Sequence, residues 1–309
     1  MKKKILFPLF LFVFPFVVSA QSTAKEWYNK GIELKGKQDY EGALAAFKNA
    51  ISKKPDHNEA YYQAGRCCNE LEKYDDAAGL LKKFVPKTDN EKRNKCNELG
   101  LSYYKLQRAT EAIIEYKNTI GIFPKDGIAL RGLGNVYYEL IEDHDNAIEY
   151  FEKAIKEDEE DSRPIYYKLG WLYNDKEKYD DAIKILLKAI EYDSEDSGYR
   201  EELGYAYYQK DEYEFALTQL NKAITLDDAS KLGYYYKGLC FIATNRKGEA
   251  MSIYYKLKEL DGDSATELID KINKMDSIIK SEPLDSELRI LEWIFYQVCS
   301  NEIKLFERL

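Results

Sequence analysis

Seven glycines recur along the chain at a nearly constant spacing, and this period constrains the fold more than any other feature of the sequence. The steps between successive glycines are 34, 35, 34, 36, 34 and 34 residues. An alanine follows each glycine after 12 residues, except in the fourth repeat, where the distance is 13. The repeat glycines are Gly31, Gly65, Gly100, Gly134, Gly170, Gly204 and Gly238, and the repeat alanines are Ala43, Ala77, Ala112, Ala147, Ala182, Ala216 and Ala250.

Each repeat has apolar residues at the spacing of two short amphipathic helices joined by a polar turn. Helices of this length are marginal in water on their own, because a few turns hardly compensate for the cost of nucleation. Their apolar stripes must therefore be buried against neighbouring repeats, where small residues let the helices approach closely. In the fifth repeat, residues 163–196, the stripes consist of Tyr166, Leu169, Gly170 and Tyr173, then Ala182, Leu186 and Ala189.

Helix–turn–helix repeats of 34 residues are typical of the tetratricopeptide repeat (TPR) family, which the chain resembles over residues 24–263. The resemblance implies an all-α fold, a right-handed TPR solenoid of about seven helix-turn-helix repeats with C-terminal capping helices. The second repeat departs from the pattern, because Phe84 stands where a small residue is usual and Pro86 comes early. We predict a displaced second helix there. The repeats are predicted to start near residues 24, 58, 93, 127, 163, 197 and 231.

The first 20 residues have the pattern of a secretory signal peptide, with a basic start, an apolar run from Ile5 to Val18 and small residues before Gln21. An uncleaved membrane anchor is the alternative, but a run of 14 residues is short for a spanning helix. We predict cleavage at residue 20, a periplasmic or secreted protein, and no stable membrane insertion afterwards. The signal and the composition suggest a Gram-negative bacterium.

The C-terminal part of the chain is predicted to close the repeat array. Ser264–Glu267 has the pattern of a capping box. The helix that it opens, residues 264–280, would shield the last repeat with Leu268, Ile272 and Met275. Residues 285–308 form a further predicted amphipathic helix, with more apolar surface than an exposed helix carries. Three alternatives are open for it: packing on the cap, folding into the groove or self-association with a second copy, and contact with a membrane or partner.

Nothing in the sequence points to catalysis, a cofactor or a metal ion. The net charge of −9 gives no overall attraction to nucleic acid. The two histidines, His57 and His144, fall in predicted turns without a nucleophile or a metal-ligand spacing. The acidic run Asp158–Asp161 lacks the spacing of a calcium loop. We therefore predict no enzymatic activity and no catalytic or metal-binding residues.

Five cysteines in an exported chain leave at least one thiol without an intramolecular partner. Two alternatives are open for the first three. Cys67 or Cys68 could form a disulfide with Cys96, because consecutive first helices are neighbours in a TPR array. Otherwise these cysteines are small apolar residues of the core.

In the family that the chain resembles, the first helices line a concave groove. The residues three before, one after and four after each repeat glycine face it. These positions are rich in tyrosine and include asparagine, arginine and tryptophan, which favours binding. With 27 tyrosines in the chain, some would fall on any face. The predicted groove residues are Tyr28, Tyr62, Arg66, Tyr104, Arg131, Asn135, Tyr138, Tyr167, Trp171, Asn174, Tyr205, Tyr208 and Tyr235.

This groove predicts a non-enzymatic scaffold for protein–protein interaction that binds a peptide or a helix of a protein partner. A carbohydrate or cell-wall binding module that uses the same aromatic groove is the alternative, because aromatic faces also stack on sugars.

Overall fold

The computed structural model describes residues 23–157 and 163–281. The predicted signal peptide at residues 1–20, the acidic run Asp158–Asp161, Cys299 and the predicted helix at 285–308 lie outside the described residues. Within the described residues, the chain forms fifteen α-helices, one π-helical turn and one 3₁₀ turn, and no β-strand.

The helices follow one another in pairs, and a long helix comes after the seventh pair. The first helices of the repeats are α1 (Ala24–Gly36), α3 (Asn58–Glu70), α5 (Asp89–Lys105), α7 (Gly127–Val136), α9 (Tyr166–Asp175), α11 (Ser197–Gln209) and α13 (Lys231–Ala243). The second helices are α2 (Tyr40–Lys53), α4 (Tyr74–Lys83), α6 (Ala109–Ile122), α8 (His144–Glu157), α10 (Tyr179–Tyr192), α12 (Tyr213–Leu226) and α14 (Lys247–Leu260), and α15 (Gly262–Ser281) closes the array. The predicted all-α fold of packed helix pairs is confirmed.

The described residues divide into two compact units, with the boundary between Ala154 and Ile155. In the N-terminal unit, α5 packs between α3 and α7. In the C-terminal unit, α11 packs between α9 and α13. The first helices α3, α5 and α7 in one unit, and α9, α11 and α13 in the other, are therefore direct neighbours.

The repeat glycines mark the places where the two helices of a repeat come closest. A Cβ atom on Gly31 would lie 2.5 Å from the ring of Phe47, and one on Gly170 would lie 2.5 Å from the side chain of Leu186. All seven repeat alanines are fully buried. The period in the sequence therefore reports helix–helix packing, which is why it is regular.

The second repeat keeps its packing but has a shorter second helix. α4 has ten residues, whereas α2 has fourteen. Leu81 still fills the space beside Gly65, and the ring of Phe84 is buried against Tyr62 with centroids 5.1 Å apart. The predicted displacement is therefore wrong. Phe84 ends the helix in an extended conformation and turns its ring into the core.

The fourth repeat absorbs its extra residue in a π-helical turn. The glycine-to-alanine distance of 13 places one more residue between Gly134 and Ala147 than in the other repeats. The chain accommodates it at Tyr137–Ile141, directly after α7. A single π-helical turn is the usual way in which an α-helix accepts an inserted residue, so the packing of Phe151 against Gly134 is preserved.

The described cysteines are buried and unpaired. Cys67, Cys68, Cys96 and Cys240 are free thiols in the core, so the alternative of a disulfide to Cys96 is wrong and the alternative of small core residues is confirmed. Burial raises the pKa of Cys67 to about 11 and the pKa of Cys96 and Cys240 to about 12. The reactive thiolate is thus disfavoured at each of these three sites.

The closing helix α15 starts earlier than predicted. The Asp261 carboxylate accepts hydrogen bonds from the backbone of Asp263 at 3.1 Å and from the hydroxyl of Ser264 at 2.9 Å. Glu267, the predicted partner in the capping box, instead accepts a hydrogen bond from Tyr235. The capping box is therefore wrong, because an aspartate before the helix supplies the cap. Leu268, Ile272 and Met275 are buried, as predicted.

The turn inside each repeat contains one residue with a left-handed backbone, and none of these residues is glycine. Their φ angles lie between 56° and 62°. A side chain in this region costs roughly 1 kcal/mol or more relative to glycine. The seven residues are Gln38, Glu72, Gln107, Glu142, Glu177, Asp211 and Asn245.

Replacing such a residue by glycine is expected to stabilise the protein. Gln107→Gly or Glu177→Gly should raise the free energy of unfolding by roughly 0.5–1 kcal/mol, the steric relief being partly offset by unfolded-chain entropy. Asn118→Gly, at an exposed position inside α6, is the control and should lower it by roughly 0.3 kcal/mol. Chemical denaturation measures both. A loss of stability at the turn positions would contradict the strain assigned to them.

Candidate functional site

The first helices of the second, third and fourth repeats line a cavity of about 400 Å³, called here the N-terminal cavity. Five of the predicted groove residues meet there, from α3, α5 and α7. Tyr116 of α6 adds a ring that is almost fully buried. The lining residues are Tyr62, Arg66, Asn94, Asn97, Glu98, Leu101, Tyr104, Tyr116, Ile128, Arg131, Gly132 and Asn135.

The N-terminal cavity has more positive than negative charge. Arg66 donates to Glu98 across α3 and α5 at 2.9 Å, and its guanidinium lies 5.9 Å from the centre of the Tyr62 ring. Arg131 adds a second positive charge to the described lining, which has one carboxylate. Guanidinium and amide groups in such a cavity suit a carbonyl or carboxylate group of a ligand.

Tyr116 and Asn97 form the buried part of this cavity. A Cβ atom on Gly100 would lie 2.7 Å from the Tyr116 ring, and one on Gly132 would lie 2.4 Å from it. The ring therefore occupies space that only glycine leaves open. The Asn97 amide donates to Asp126 at 3.0 Å, while its Oδ1 has no hydrogen-bond partner among the described residues.

The first helices of the fifth, sixth and seventh repeats line a second cavity of about 290 Å³, called here the C-terminal cavity. Three aromatic rings and three carboxylates surround it, and its described lining residues include no lysine or arginine. They are Trp171, Asn174, Asp175, Glu201, Glu202, Tyr205, Leu232 and Tyr236. Trp171, Asn174 and Tyr205 belong to the predicted groove.

The two carboxylates of α11 in this cavity are bound by neutral donors. The Ser230 hydroxyl donates to Glu201, and the Asn174 amide donates to Glu202 Oε2 at 2.8 Å. Neither glutamate forms an ion pair with a described residue. Burial is the main cause that raises the pKa of Glu201 and the pKa of Glu202, and for Glu202 the neighbouring charge of Glu201 adds to it.

This pKa shift predicts a pH-dependent effect of Glu202→Gln. A carboxyl whose pKa is raised in the folded state destabilises that state once it ionises, so stability is lost as pH rises from the ordinary glutamate pKa of 4.5 through the raised pKa. Glu202→Gln should therefore melt at a higher temperature than the wild type at pH 7, and the difference should shrink towards pH 4.5. Asp175, Glu201, Tyr205 and Tyr236 surround the group. Because Glu201 is coupled to Glu202 by charge, the variant also relieves Glu201, and this contributes to the difference in the same direction.

Glu98→Gln is the matched control for this prediction. Glu98 occupies the same repeat position and pairs with Arg66 at 2.9 Å. Removing its charge should lower the melting temperature at pH 7, because the partly buried guanidinium loses its counter-ion. Thermal melts followed by circular dichroism measure both variants. A stabilising Glu98→Gln would contradict this electrostatic account.

A repeated hydrogen-bond pattern, called here the Asn–Glu bridge, joins neighbouring first helices in both units. Asn69 donates from Nδ2 to the backbone oxygen of Glu98 at 3.1 Å and to its carboxylate at 2.8 Å. Asn174 makes the same two bonds to Glu202, at 3.1 Å and 2.8 Å. Asn174 is only 3% exposed, so its amide nitrogen positions Glu202 and is not exposed for a partner.

The two bridges differ at one position of the following helix. In the N-terminal unit, the Ser102 hydroxyl donates to Asn69 Oδ1 at 2.7 Å. The equivalent residue of the C-terminal unit is Ala206, two positions after its repeat glycine. Asn174 Oδ1 consequently has no hydrogen-bond partner among the described residues.

The other predicted groove residues lie outside the two cavities, and each has its ring beside another aromatic ring. Tyr208 and Tyr235 both contact Tyr236 and so border the C-terminal cavity. The contacts are Tyr28 with His57, Tyr138 with Phe151, Tyr167 with Tyr199, and Tyr208 and Tyr235 with Tyr236.

The residues two positions before the repeat glycines were not predicted from the sequence. Glu98, Gly132, Glu202 and Tyr236 all occupy this position, and all line a cavity. They lie on the same helical face as the three positions that were counted. Extending the face by one residue would have found them.

Among the described residues, no group of three or more histidine, cysteine, aspartate or glutamate side chains is arranged to hold a metal ion. None of the described helices combines the length and the apolar character needed to cross a membrane.

Comparison with protein families identifies tetratricopeptide repeats along the chain. Tetratricopeptide repeat family models match residues 28–91, 97–162 and 142–201, which together make up more than half of the sequence. A comparison with curated proteins gives no significant match.

Several solved structures share the fold. The C-terminal part of a TPR repeat-containing protein from Cytophaga hutchinsonii is 20% identical, with a TM-score of 0.62, over 79% of this chain and 98% of that one. A tetratricopeptide repeat protein from Parabacteroides merdae is 18% identical, with a TM-score of 0.51, over 81% and 98%. One chain of the APC/C hetero-tetramer Cut9-Hcn1 is 18% identical, with a TM-score of 0.52, over 71% of this chain but only 42% of its own. At these identities the likeness concerns the fold alone.

Proposed function

Because the chain belongs to the tetratricopeptide repeat family, we propose that it is a protein–protein interaction scaffold whose first helices bind an extended peptide of a partner. Tetratricopeptide repeats generally serve as non-enzymatic scaffolds. The observation that carries the proposal is that the same helical face lines a cavity in each unit. That face is rich in tyrosine and asparagine and also carries Arg66, Arg131 and Trp171. Tyrosine, tryptophan and arginine are enriched in binding hot spots.

A peptide suits the polar groups of the N-terminal cavity. Arg131 and Asn135 lie on one face of α7 and can pair with the backbone of an extended chain, whose carbonyl groups recur along its length. The rings of Tyr62 and Tyr104 offer apolar area with a polar tip. The partner contacts would thus combine backbone recognition with the burial of a few side chains.

The proposal is tested with a random peptide display library and a glycan array, both probed with the full chain. We expect enrichment of peptides and no glycan binding. A Tyr167→Ala, Trp171→Ala double variant should lose at least tenfold in affinity for the peptides that depend on the C-terminal unit. Tyr192→Ala, Tyr255→Ala is the matched control, because both rings are exposed on second helices, and it should bind normally.

Two outcomes contradict the proposal. Glycan binding without any peptide would favour the carbohydrate or cell-wall module. Equal loss of binding in the control variant would mean that the first helices are not the binding surface. The circular dichroism spectrum of each variant establishes that its helices are intact.

We also propose that this scaffold acts in the periplasm or outside the cell. The proposal rests on the secretory pattern of residues 1–20. Expressing the full sequence in a Gram-negative host and determining the N-terminus of the product by mass spectrometry tests it. A product that begins at Gln21 is expected, and an intact Met1 in a cytoplasmic fraction would contradict it.

A further inference from the structure

The two cavities present opposite charge although the same face of the first helices lines both. The N-terminal cavity has Arg66 and Arg131 against one carboxylate, that of Glu98. The C-terminal cavity has three carboxylates and no basic side chain among its described lining residues. Since the packing positions of the two units are alike, the difference in charge is not required by the fold.

Glu201 and Glu202 are partly buried carboxylates without a positive partner among the described residues. Removing a carboxylate from water costs free energy unless an opposite charge compensates. Glu98, at the same repeat position as Glu202, has such a partner in Arg66 at 2.9 Å. In the C-terminal unit, Glu201 and Glu202 accept hydrogen bonds from the neutral donors Ser230 and Asn174 and have no counter-ion among the described residues. The raised pKa of both glutamates agrees with this absence of compensation.

A second observation is the unpartnered acceptor beside the carboxylates. Asn174 lines the cavity and is 3% exposed, and its Oδ1 has no hydrogen-bond partner among the described residues. Native proteins rarely leave a buried polar atom unsatisfied, and exceptions occur where a ligand binds. Two carboxylates and an unpaired acceptor together favour a ligand that is a positively charged hydrogen-bond donor.

The rings around these acceptors narrow the kind of cation. Trp171, Tyr205 and Tyr236 line the same cavity, and the centroids of Tyr205 and Tyr236 are 4.9 Å apart with an angle of 53° between the ring planes. An aromatic face attracts a cation placed over it, and tryptophan does so most strongly. A guanidinium group is planar, stacks on such faces and offers several donors to neighbouring carboxylates, which an ammonium group does less well.

We propose that the C-terminal cavity binds the guanidinium group of an arginine side chain that the partner peptide presents. This inference rests on the proposed function and specifies the side chain that the peptide inserts. A cavity of about 290 Å³ is just below the range of about 300–1,000 Å³ for small-molecule sites, which suits one side chain. The guanidinium lies between the rings and pairs with Glu201 and Glu202.

The test uses capped arginine (N-acetyl-arginine methylamide) and the full chain with Trp27→Phe and Trp293→Phe, so that Trp171 is the remaining tryptophan. Its fluorescence should change on titration with a dissociation constant on the order of 1 mM, typical of one small group. Capped citrulline has nearly the same shape without the charge, and it should bind at least tenfold more weakly. Capped lysine should fall between the two.

Variants of the glutamates assign the response to this cavity. Glu201→Gln, Glu202→Gln keeps acceptors for Ser230 and Asn174 and should weaken capped arginine at least tenfold. Glu191→Gln, at an exposed position of the second helix α10, should leave the titration unchanged. Equal binding of arginine and citrulline, tighter binding of lysine, or full binding by the double variant would each overturn the proposal.

The peptide display separates a failure of this inference from a failure of the proposed function. If peptides are recovered without enrichment of arginine, and the double variant binds them as the wild type does, the arginine site is wrong and the scaffold function stands. If capped arginine binds but no peptide is recovered, the site stands and the scaffold function is wrong.

Discussion

Gly132→Ala is expected to lower the free energy of unfolding by about 2 kcal/mol, within the usual range for overpacking a core. Gly132 lies inside α7, where alanine is the better helix former by about 1 kcal/mol. Packing outweighs this preference, because the new Cβ would lie 2.4 Å from the ring of Tyr116. That ring also contacts Gly100 of α5, so it has little room to move away.

Gly79→Ala is the matched control for this prediction. Gly79 lies inside α4, and no atom lies within 4 Å of the position that its Cβ would take. The substitution should raise the free energy of unfolding by about 1 kcal/mol. Denaturation with guanidinium chloride measures both variants. If Gly132→Ala is also stabilising, the close contact with Tyr116 is not a constraint on the fold.

The second prediction concerns Ser102 and Ala206, the two residues that distinguish the Asn–Glu bridges. Each is replaced by the residue at the equivalent position of the other unit. Ser102→Ala should cost about 1–2 kcal/mol, since it removes the donor to Asn69 Oδ1 and leaves that buried oxygen unpaired. Ala206→Ser should stabilise the protein by about 1 kcal/mol, since the new hydroxyl stands where Ser102 stands and can reach Asn174 Oδ1.

The signs of the two effects are more informative than their sizes. Both sites are fully buried, so each variant changes one oxygen atom in a similar environment. Chemical denaturation of the two single variants, with the double variant as a test of additivity, measures them. If Ala206→Ser destabilises the protein, Asn174 Oδ1 is not a free acceptor, and it no longer supports the arginine site.

The fold was predictable because packing between helices recurs with the period of the chain. The repeat glycines and alanines report where helices touch, and their spacing of 34 residues is enough to predict a TPR array. The errors arose where one local contact replaced another. Phe84 shortened α4 instead of displacing it, and Asp261 capped α15 in place of Ser264. Which of two local contacts forms depends on the distances between atoms, and a periodic sequence pattern does not contain these distances.

The candidate site was predictable only in part. Counting three positions around each repeat glycine found Tyr62, Arg66 and Trp171, which line cavities. It also selected Asn174, whose amide nitrogen donates to Glu202 and is therefore not available to a partner. Both cavities have a glutamate two positions before a repeat glycine, Glu98 or Glu202, and whether that glutamate has a counter-ion depends on the neighbouring helix. Arg66 faces Glu98, whereas the equivalent residue before Glu202 in the C-terminal unit is Trp171.

The central claim, that a partner peptide binds on the first helices, is tested most directly by hydroxyl-radical footprinting of the full chain with a display-selected peptide. The chain suits this method because tyrosine and tryptophan are labelled readily and tyrosine occurs on both kinds of helix. We predict that the peptide protects Trp171, Tyr205 and Tyr236 of the C-terminal cavity and leaves Tyr192 and Tyr255, exposed on second helices, labelled as before. Protection of Tyr192 and Tyr255 with unchanged labelling of the cavity residues would contradict the account.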